Sequence, residues 1–370
     1  MKSTSDLPGI SHIKASIALL ALLTFAWFPL IGMAQYVGAE TCAGSSCHSG
    51  GFPGNQYNEW LSSGHRFILM ESDNAQHRAL PLPSGVVWND ISYVVGGHSK
   101  KAIFLDAEGR IGDQQYNLLT GEFTAADGAG GDYDCGECHT TGYDAMGQAP
   151  LPGMVGSFEL PGVQCEHCHN AGIHPSDRDA PTDAAFCGEC HNHGDSDMVA
   201  AGGGFIMSEG QYNEFLASPH DEAYNCVSCH NPHKSAETGI TIECATCHSE
   251  EAASYTNTLM DTVGVECIDC HMPPATLSAQ PLGPHQGDTR THLFRINTDA
   301  GDSMFTQDGM QVALDDGEGA VTLDFACQRC HAGTSLETLE KFADDFHEAS
   351  PSERLAKVGL NPGLTGTWYN

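Results

Sequence analysis

"GVQCEHCHNAGIH", residues 162–174, holds two cysteines separated by two residues, a histidine directly after the second, and another histidine five positions on. The C-x-x-C-H pattern recurs seven times along the chain. It comprises Cys135, Cys138 and His139; Cys165, Cys168 and His169; Cys187, Cys190 and His191; Cys226, Cys229 and His230; Cys244, Cys247 and His248; Cys267, Cys270 and His271; and Cys327, Cys330 and His331. An eighth pair, in "CAGSSCH", sets Cys42 and Cys47 further apart before His48, and the eight pairs use all 16 cysteines. An even cysteine count suits a disulfide framework in an exported protein, and paired C-x-x-C motifs suit zinc ribbons. Neither needs a histidine after every pair, and histidine is only 20 of 370 residues. The pattern is the attachment signal of c-type haem. Two thioethers fix the vinyl-derived carbons of the porphyrin, and the adjacent histidine reaches the iron from one side. Eight covalent haems are therefore predicted, the first through a longer loop.

Six of the motifs crowd between Cys135 and His271. With 42 glycines, 18 prolines and 8% aromatics, the chain is short of ordinary core material for its length. The expected fold is a multihaem cytochrome: mainly short α-helices and loops wrapped around a stacked haem array, with the porphyrins as core. Ligation is then coupled to folding, and the haemless chain is predicted not to fold.

Beyond the eight motif histidines, twelve remain. His12 belongs to the leader, His167 lies between paired cysteines, and His77 reads as a surface or hydrogen-bonding residue. The other nine are candidate distal ligands: His65, His174, His220, His233, His292 and His347, with His98, His193 and His285 behind them. Two of them end a repeated decapeptide, "QYNEWLSSGH" (residues 56–65) and "QYNEFLASPH" (residues 211–220). Read as a helix, each copy puts an aromatic face and its terminal histidine on one side. The Gly or Pro before the histidine stops the helix there. Methionine as a sixth ligand would raise a haem's potential, although packing is its commoner use.

Lys2 and Lys14 precede an apolar run from Ala15 to Ile31, followed by "IGMA". This reads as a signal peptide over 1–34, with an uncleaved anchor as the alternative. Three regions follow. Residues 35–131 carry the first motif and, near 85–125, a small β-flap suggested by "ISYVVGGHSKKAIFLDAEGRI". Residues 132–275 hold haems 2–7, in which "GVQCEHCH" and "GVECIDCH" echo one another. Residues 276–370 hold haem 8. There "DAGDSMFTQDGMQVALDDGEGAVTLD" reads as an acidic loop or hairpin without the regular spacing of a calcium loop, so calcium is a weak expectation. "SLETLEKFADDFHEA" reads as an amphipathic helix carrying His347. The net charge of −33 disfavours nucleic acid and anionic membrane and favours a basic docking partner. Membrane contact is expected only through an uncleaved leader.

The chain resembles multihaem cytochromes of the cytochrome c-554 kind. The resemblance rests on "YVGAETCAGSSCH" followed by "YNEWLSSGH", on "SYVVGGHSKKAIFLDAEGRI" with "QYNLLTGEF", and on "CGECHTTGY" leading to "GVQCEHCHNAGIH". "CVSCHNPHK" also looks like related haem-pair cytochromes. The resemblance implies periplasmic electron transfer through closely packed, mostly two-histidine haems, with His65, His174, His220 and His233 distal. The chain departs from that family in the wide first motif and in having eight motifs rather than four.

Three functions compete. The leading one is an exported electron carrier whose low-potential haems form a wire between redox partners. The second is an octahaem oxidoreductase acting on nitrite, hydroxylamine or tetrathionate, which needs one iron with a site for substrate. Against it stand the sufficiency of histidines, the small number of basic residues and the absence of a motif ending in Lys. The third is a subunit of an extracellular haem filament or other oligomer.

Overall fold

The computed structural model describes residues 36–44, 48–50, 54–74, 79–172, 180–349 and 353. The leader over 1–34, Cys47, His77 and His174 lie outside the described residues. Among the described residues, no helix is long and apolar enough to cross a membrane.

The expected strands over 91–111 belong to a five-stranded antiparallel sheet, larger than a small flap. Its strands are β1 (Leu69–Glu71), β2 (Ile91–Gly96), β3 (Lys101–Asp106), β4 (Ile111–Asn117) and β5 (Glu122–Ala125), paired in chain order. The β2–β3 hairpin sets Val94 opposite Phe104 and Val95 opposite Ile103. Its turn needs glycine: Gly96 has φ +74°, and a Cβ there would lie 2.5 Å from the Lys101 carbonyl oxygen. Both faces of the sheet are buried. One packs Ile91, Val94, Ala102 and Phe104 under Leu80, Leu82 and Trp88. The other packs Leu69, Val95 and Leu105 against Tyr133 and Met154. The second face thus fastens the sheet to the segment bearing Cys135, Cys138 and His139. Lys100 Nζ donates to the Asp288 carbonyl, and Lys101 Nζ donates to the Asp127 carboxylate (2.9 Å) and the Ser278 carbonyl (2.8 Å).

A second core joins Val199, Phe205, Ile206 and Ala217 to Leu293, Met304, Val312, Val321 and Phe325. Phe205–Met207 pairs antiparallel with Ala201–Gly202 and parallel with Thr276–Leu277. The acidic stretch before the last motif therefore does more than face solvent. Met304, Val312 and Val321 are buried, and turns closed by the bridges Phe305–Val312 and Asp315–Glu318 carry its acids outward.

Everything else is short. Among the described residues, most helices span four or five residues, and the longest, Leu336–Ala343, has eight. Among the described residues, no buried hydrophobic side chain falls between Met154 and Val199 or between Ala217 and Ala275. Those two stretches contain five of the eight motifs. A chain that folds there needs apolar material from another source.

Candidate haem centres

Each described C-x-x-C-H motif is a single turn. The histidine N–H bonds the carbonyl of the first cysteine: His191 to Cys187 at 2.9 Å, His230 to Cys226 at 2.8 Å, His331 to Cys327 at 2.9 Å. The turn brings both thiols and the imidazole to one place. His48 N–H makes the same bond to Cys42 (3.3 Å). Local chemistry fixes several of these turns. Asp183 accepts from Phe186 N–H ahead of Cys187, and Asn225 and Ser228 form a capping box around Cys226.

Five motif histidines face a second imidazole. The ring centres lie 6.3 Å apart for His65 and His191, 6.2 Å for His169 and His233, and 5.9 Å for His220 and His248. They lie 6.1 Å apart for both His230 with His292 and His271 with His347. Two imidazoles on opposite sides of one metal, each bonded at about 2 Å, place their ring centres roughly 6 Å apart. The pairs therefore fit an iron between them. The planes are nearly parallel in two pairs (11° and 26°) and steeply crossed in two others (67° and 88°).

The second nitrogen of many of these rings is occupied. His65 Nδ1 lies 3.1 Å from the Pro232 carbonyl, His271 Nδ1 2.8 Å from the Phe294 carbonyl, and His347 Nδ1 3.1 Å from Ser254 Oγ. Such bonds hold the tautomer that leaves Nε2 for a metal. The Nδ1 atoms of His220 and His292 are buried without a protein partner. Burial, helped by the paired ring's charge, pushes His65 and His292 down to about 4. His220, His230 and His233 are lowered chiefly by burial too. Neutral imidazole is the ligating form.

Three motif histidines face no second imidazole at that spacing among the described residues. His48 Nδ1 lies 3.5 Å from Gln56 Oε1. His139 Nδ1 lies 2.8 Å from the Tyr133 hydroxyl, and burial together with the Lys101 charge lowers His139 to about 4. The third is His331. Of the remaining candidates, His98 stacks on Phe67 at 4.7 Å, and His193 gives its backbone N–H to Asn213. His285 pairs with Asp324 at 3.2 Å and meets the edge of Phe325. His167 donates to the Thr140 carbonyl, a structural use.

The sulfurs give the order of the motifs in space. Cys42 lies beside Cys165, Cys168 in electrostatic reach of Cys187, and Cys187 beside Cys226. Cys229 lies near Cys247, Cys244 near Cys267, and Cys270 near Cys327 and Cys330. The first, third, fourth, fifth, sixth, seventh and eighth motifs thus stand in single file. The second joins beside the fourth through Cys138 and Cys190.

Several supporting residues escaped the sequence reading. Glu166, buried between its two cysteines, accepts from Val37, Gly38 and Gly172 N–H groups and ties the N-terminal segment to the third motif. Glu214 is buried, and burial raises it to about 7. Its oxygens accept from Thr276, Thr291 and the His292 backbone N–H. Asp269 in the seventh motif meets Arg290 (2.9 Å) and Arg329 of the eighth (3.4 Å). A carboxylate inside a C-x-x-C-H loop was the available signal for Glu166 and Asp269. Among the described residues, no three His, Cys, Asp or Glu side chains converge on a metal-ion site of their own.

Comparisons with known proteins match parts of the chain to cytochromes. Residues 98–170 match the cytochrome c554 and c-prime family, and residues 158–249 match the cytochrome c3 family. The dissimilatory sulfite reductase MccA of Wolinella succinogenes is 24% identical over 226 residues, 45% of this chain. The match spans 32% of that relative's length. Its solved structure, an octahaem sulfite reductase, aligns with TM-score 0.57 and 18% identity over 79% of this chain and 65% of that one. The outer cell wall cytochrome OcwA aligns with TM-score 0.55 and 17% identity, covering 88% of this chain and 95% of that one. An undecahaem cytochrome from the S-layer of Carboxydothermus ferrireducens aligns with TM-score 0.50 and 14% identity, covering 93% of this chain and 68% of its own. Motifs, fold and family matches converge: the chain is a multihaem c-type cytochrome resembling the cytochrome c554 family.

Proposed function

We propose that the chain is an exported octahaem electron carrier, with residues 1–34 removed and all eight motifs loaded. The single-file order of the motif sulfurs carries this reading. Each bound haem supplies one iron that cycles between ferric and ferrous. The chain's own residues do the rest. The pairs His65–His191, His169–His233, His220–His248, His230–His292 and His271–His347 would hold five of the irons, which favours low potential and leaves no position for substrate at those five. The acidic surface selects a basic redox partner. Rapid mixing of the haem-loaded protein with a low-potential reductant tests the reading. Eight haems per chain by haemochrome assay, reduced in one donor-limited phase, are expected. Fewer haems, or a group reduced in a separate slow phase, would contradict it.

A second reading has one observation in its favour. His139 is braced by Tyr133 and acted on by Lys101, and no described imidazole faces it at ligand spacing. The similarity to a sulfite reductase lends weight to a catalytic haem in this chain. Oxidation of reduced viologen dependent on sulfite, nitrite, hydroxylamine or tetrathionate would establish it; no turnover with any of the four leaves the carrier.

A further inference from the structure

The repeated decapeptide does more than end in a candidate distal histidine. Each copy begins a helix, Gln56–Trp60 or Gln211–Leu216, directly over a motif histidine. In the first copy, Tyr57 N–H bonds the His48 carbonyl (3.0 Å) and Gln56 Oε1 lies 3.5 Å from His48 Nδ1. In the second, Tyr212 N–H bonds the His191 carbonyl (2.8 Å) and Gln211 Oε1 lies 3.4 Å from His191 Nδ1. One of the free N–H groups at each helix start is thereby satisfied by the motif histidine itself. The glutamate three positions on makes a further contact. Glu59 pairs with Lys234, neighbour of His233, at 3.5 Å; Glu214 accepts from His292 N–H at 2.6 Å. The terminal histidines then face other motifs, His65 facing His191 and His220 facing His248. The fourth motif is held by both copies: His191 has Gln211 of the second on its Nδ1 and His65 of the first across its face.

Building on the axial pairs of the preceding section, we propose that the decapeptide is a three-haem clamp whose leading glutamine sets the potential of the haem it starts from. Gln56 acts on the first haem and Gln211 on the fourth, as positioning residues. An acceptor on Nδ1–H makes the imidazole a stronger donor to iron and favours the ferric state. Removing the acceptor weakens that donation, and a carboxylate strengthens it. The two substitutions therefore move the potential in opposite directions, which a merely structural role would not do.

The test uses haem-loaded full-length protein in redox titrations followed by electron paramagnetic resonance. Gln211→Leu is expected to raise one midpoint out of eight and Gln211→Glu to lower the same one. Gln56→Leu should raise a different one. Shifts in the same direction for Leu and Glu, or no shift, overturn the proposal. His65→Ala in parallel separates the two levels of inference, because conversion of one haem to high spin is expected if the pair ligates iron. If all haems stay low-spin, the ligand assignment fails and the clamp falls with it. If one converts while the glutamine variants are silent, the clamp alone falls.

Discussion

Glu214 shows how much at the residue scale depends on one buried group. Its oxygens accept three bonds, from Thr276 and Thr291 hydroxyls and His292 N–H, in a site closed to water. Glu214→Ala strands those donors, and each buried unpaired group costs about 1–3 kcal/mol. We expect a loss on the order of 3 kcal/mol in denaturant unfolding of the haem-loaded protein. Glu214→Gln keeps an acceptor and should lose much less; an equal loss for both would show that the hydrogen bonds are not what matters there. Tyr133→Phe removes the partner of His139 Nδ1 and should raise the midpoint of the second haem in a redox titration. The motif residues were legible because their spacing is the chemistry. His65, His220, His233, His292 and His347, picked from the sequence, each stand opposite a motif histidine. Which faces which was not legible. The pairs are 28 to 126 residues apart in the chain, and no local pattern encodes such contacts.

At the scale of elements, glycine 188 in the second "CGECH" has a defined task. A Cβ there would lie 2.5 Å from the ring of Tyr212, at the head of the second decapeptide. Gly136 in the first "CGECH" stands in the same relation to Tyr143. Gly188→Ala should therefore push the Gln211–Leu216 helix away and carry His220 from His248. A new high-spin haem signal in the variant is the expected readout, and an unchanged spectrum would show that the helix yields elsewhere. The sheet makes a contrasting prediction. Leu105→Ala opens a cavity beneath β3, costing about 2–5 kcal/mol in thermal or denaturant unfolding, while the haem count stays the same. Only part of this sheet was legible. Val94 and Val95 are both buried, so strict alternation is lost, and β1 is just three residues long. The decapeptide, read as one helix, is helical over only five or six residues, because the turn that follows must aim the histidine at another motif.

For the whole molecule, two stretches without buried hydrophobic side chains, between Met154 and Val199 and between Ala217 and Ala275, hold five motifs among the described residues. Chain produced without haem attachment should be cut first in those stretches under limited proteolysis, with the sheet over 69–125 surviving longest. The charge of −33 adds a second expectation: reduction by a basic partner should slow steeply as salt rises, since the screening length falls to about 8 Å near 0.15 M. The most direct test of the central claim, that histidine pairs bracket irons along the file, is electron paramagnetic resonance of the oxidised, haem-quantified protein. The relative orientation of two axial imidazoles sets the low-spin g-anisotropy. The near-parallel pairs, His169–His233 and His271–His347, should give rhombic signals. The crossed pairs, His65–His191 and His220–His248, should give highly anisotropic ones. Both classes, with at least five low-spin haems per chain, are predicted; a spectrum dominated by high-spin iron would contradict the account.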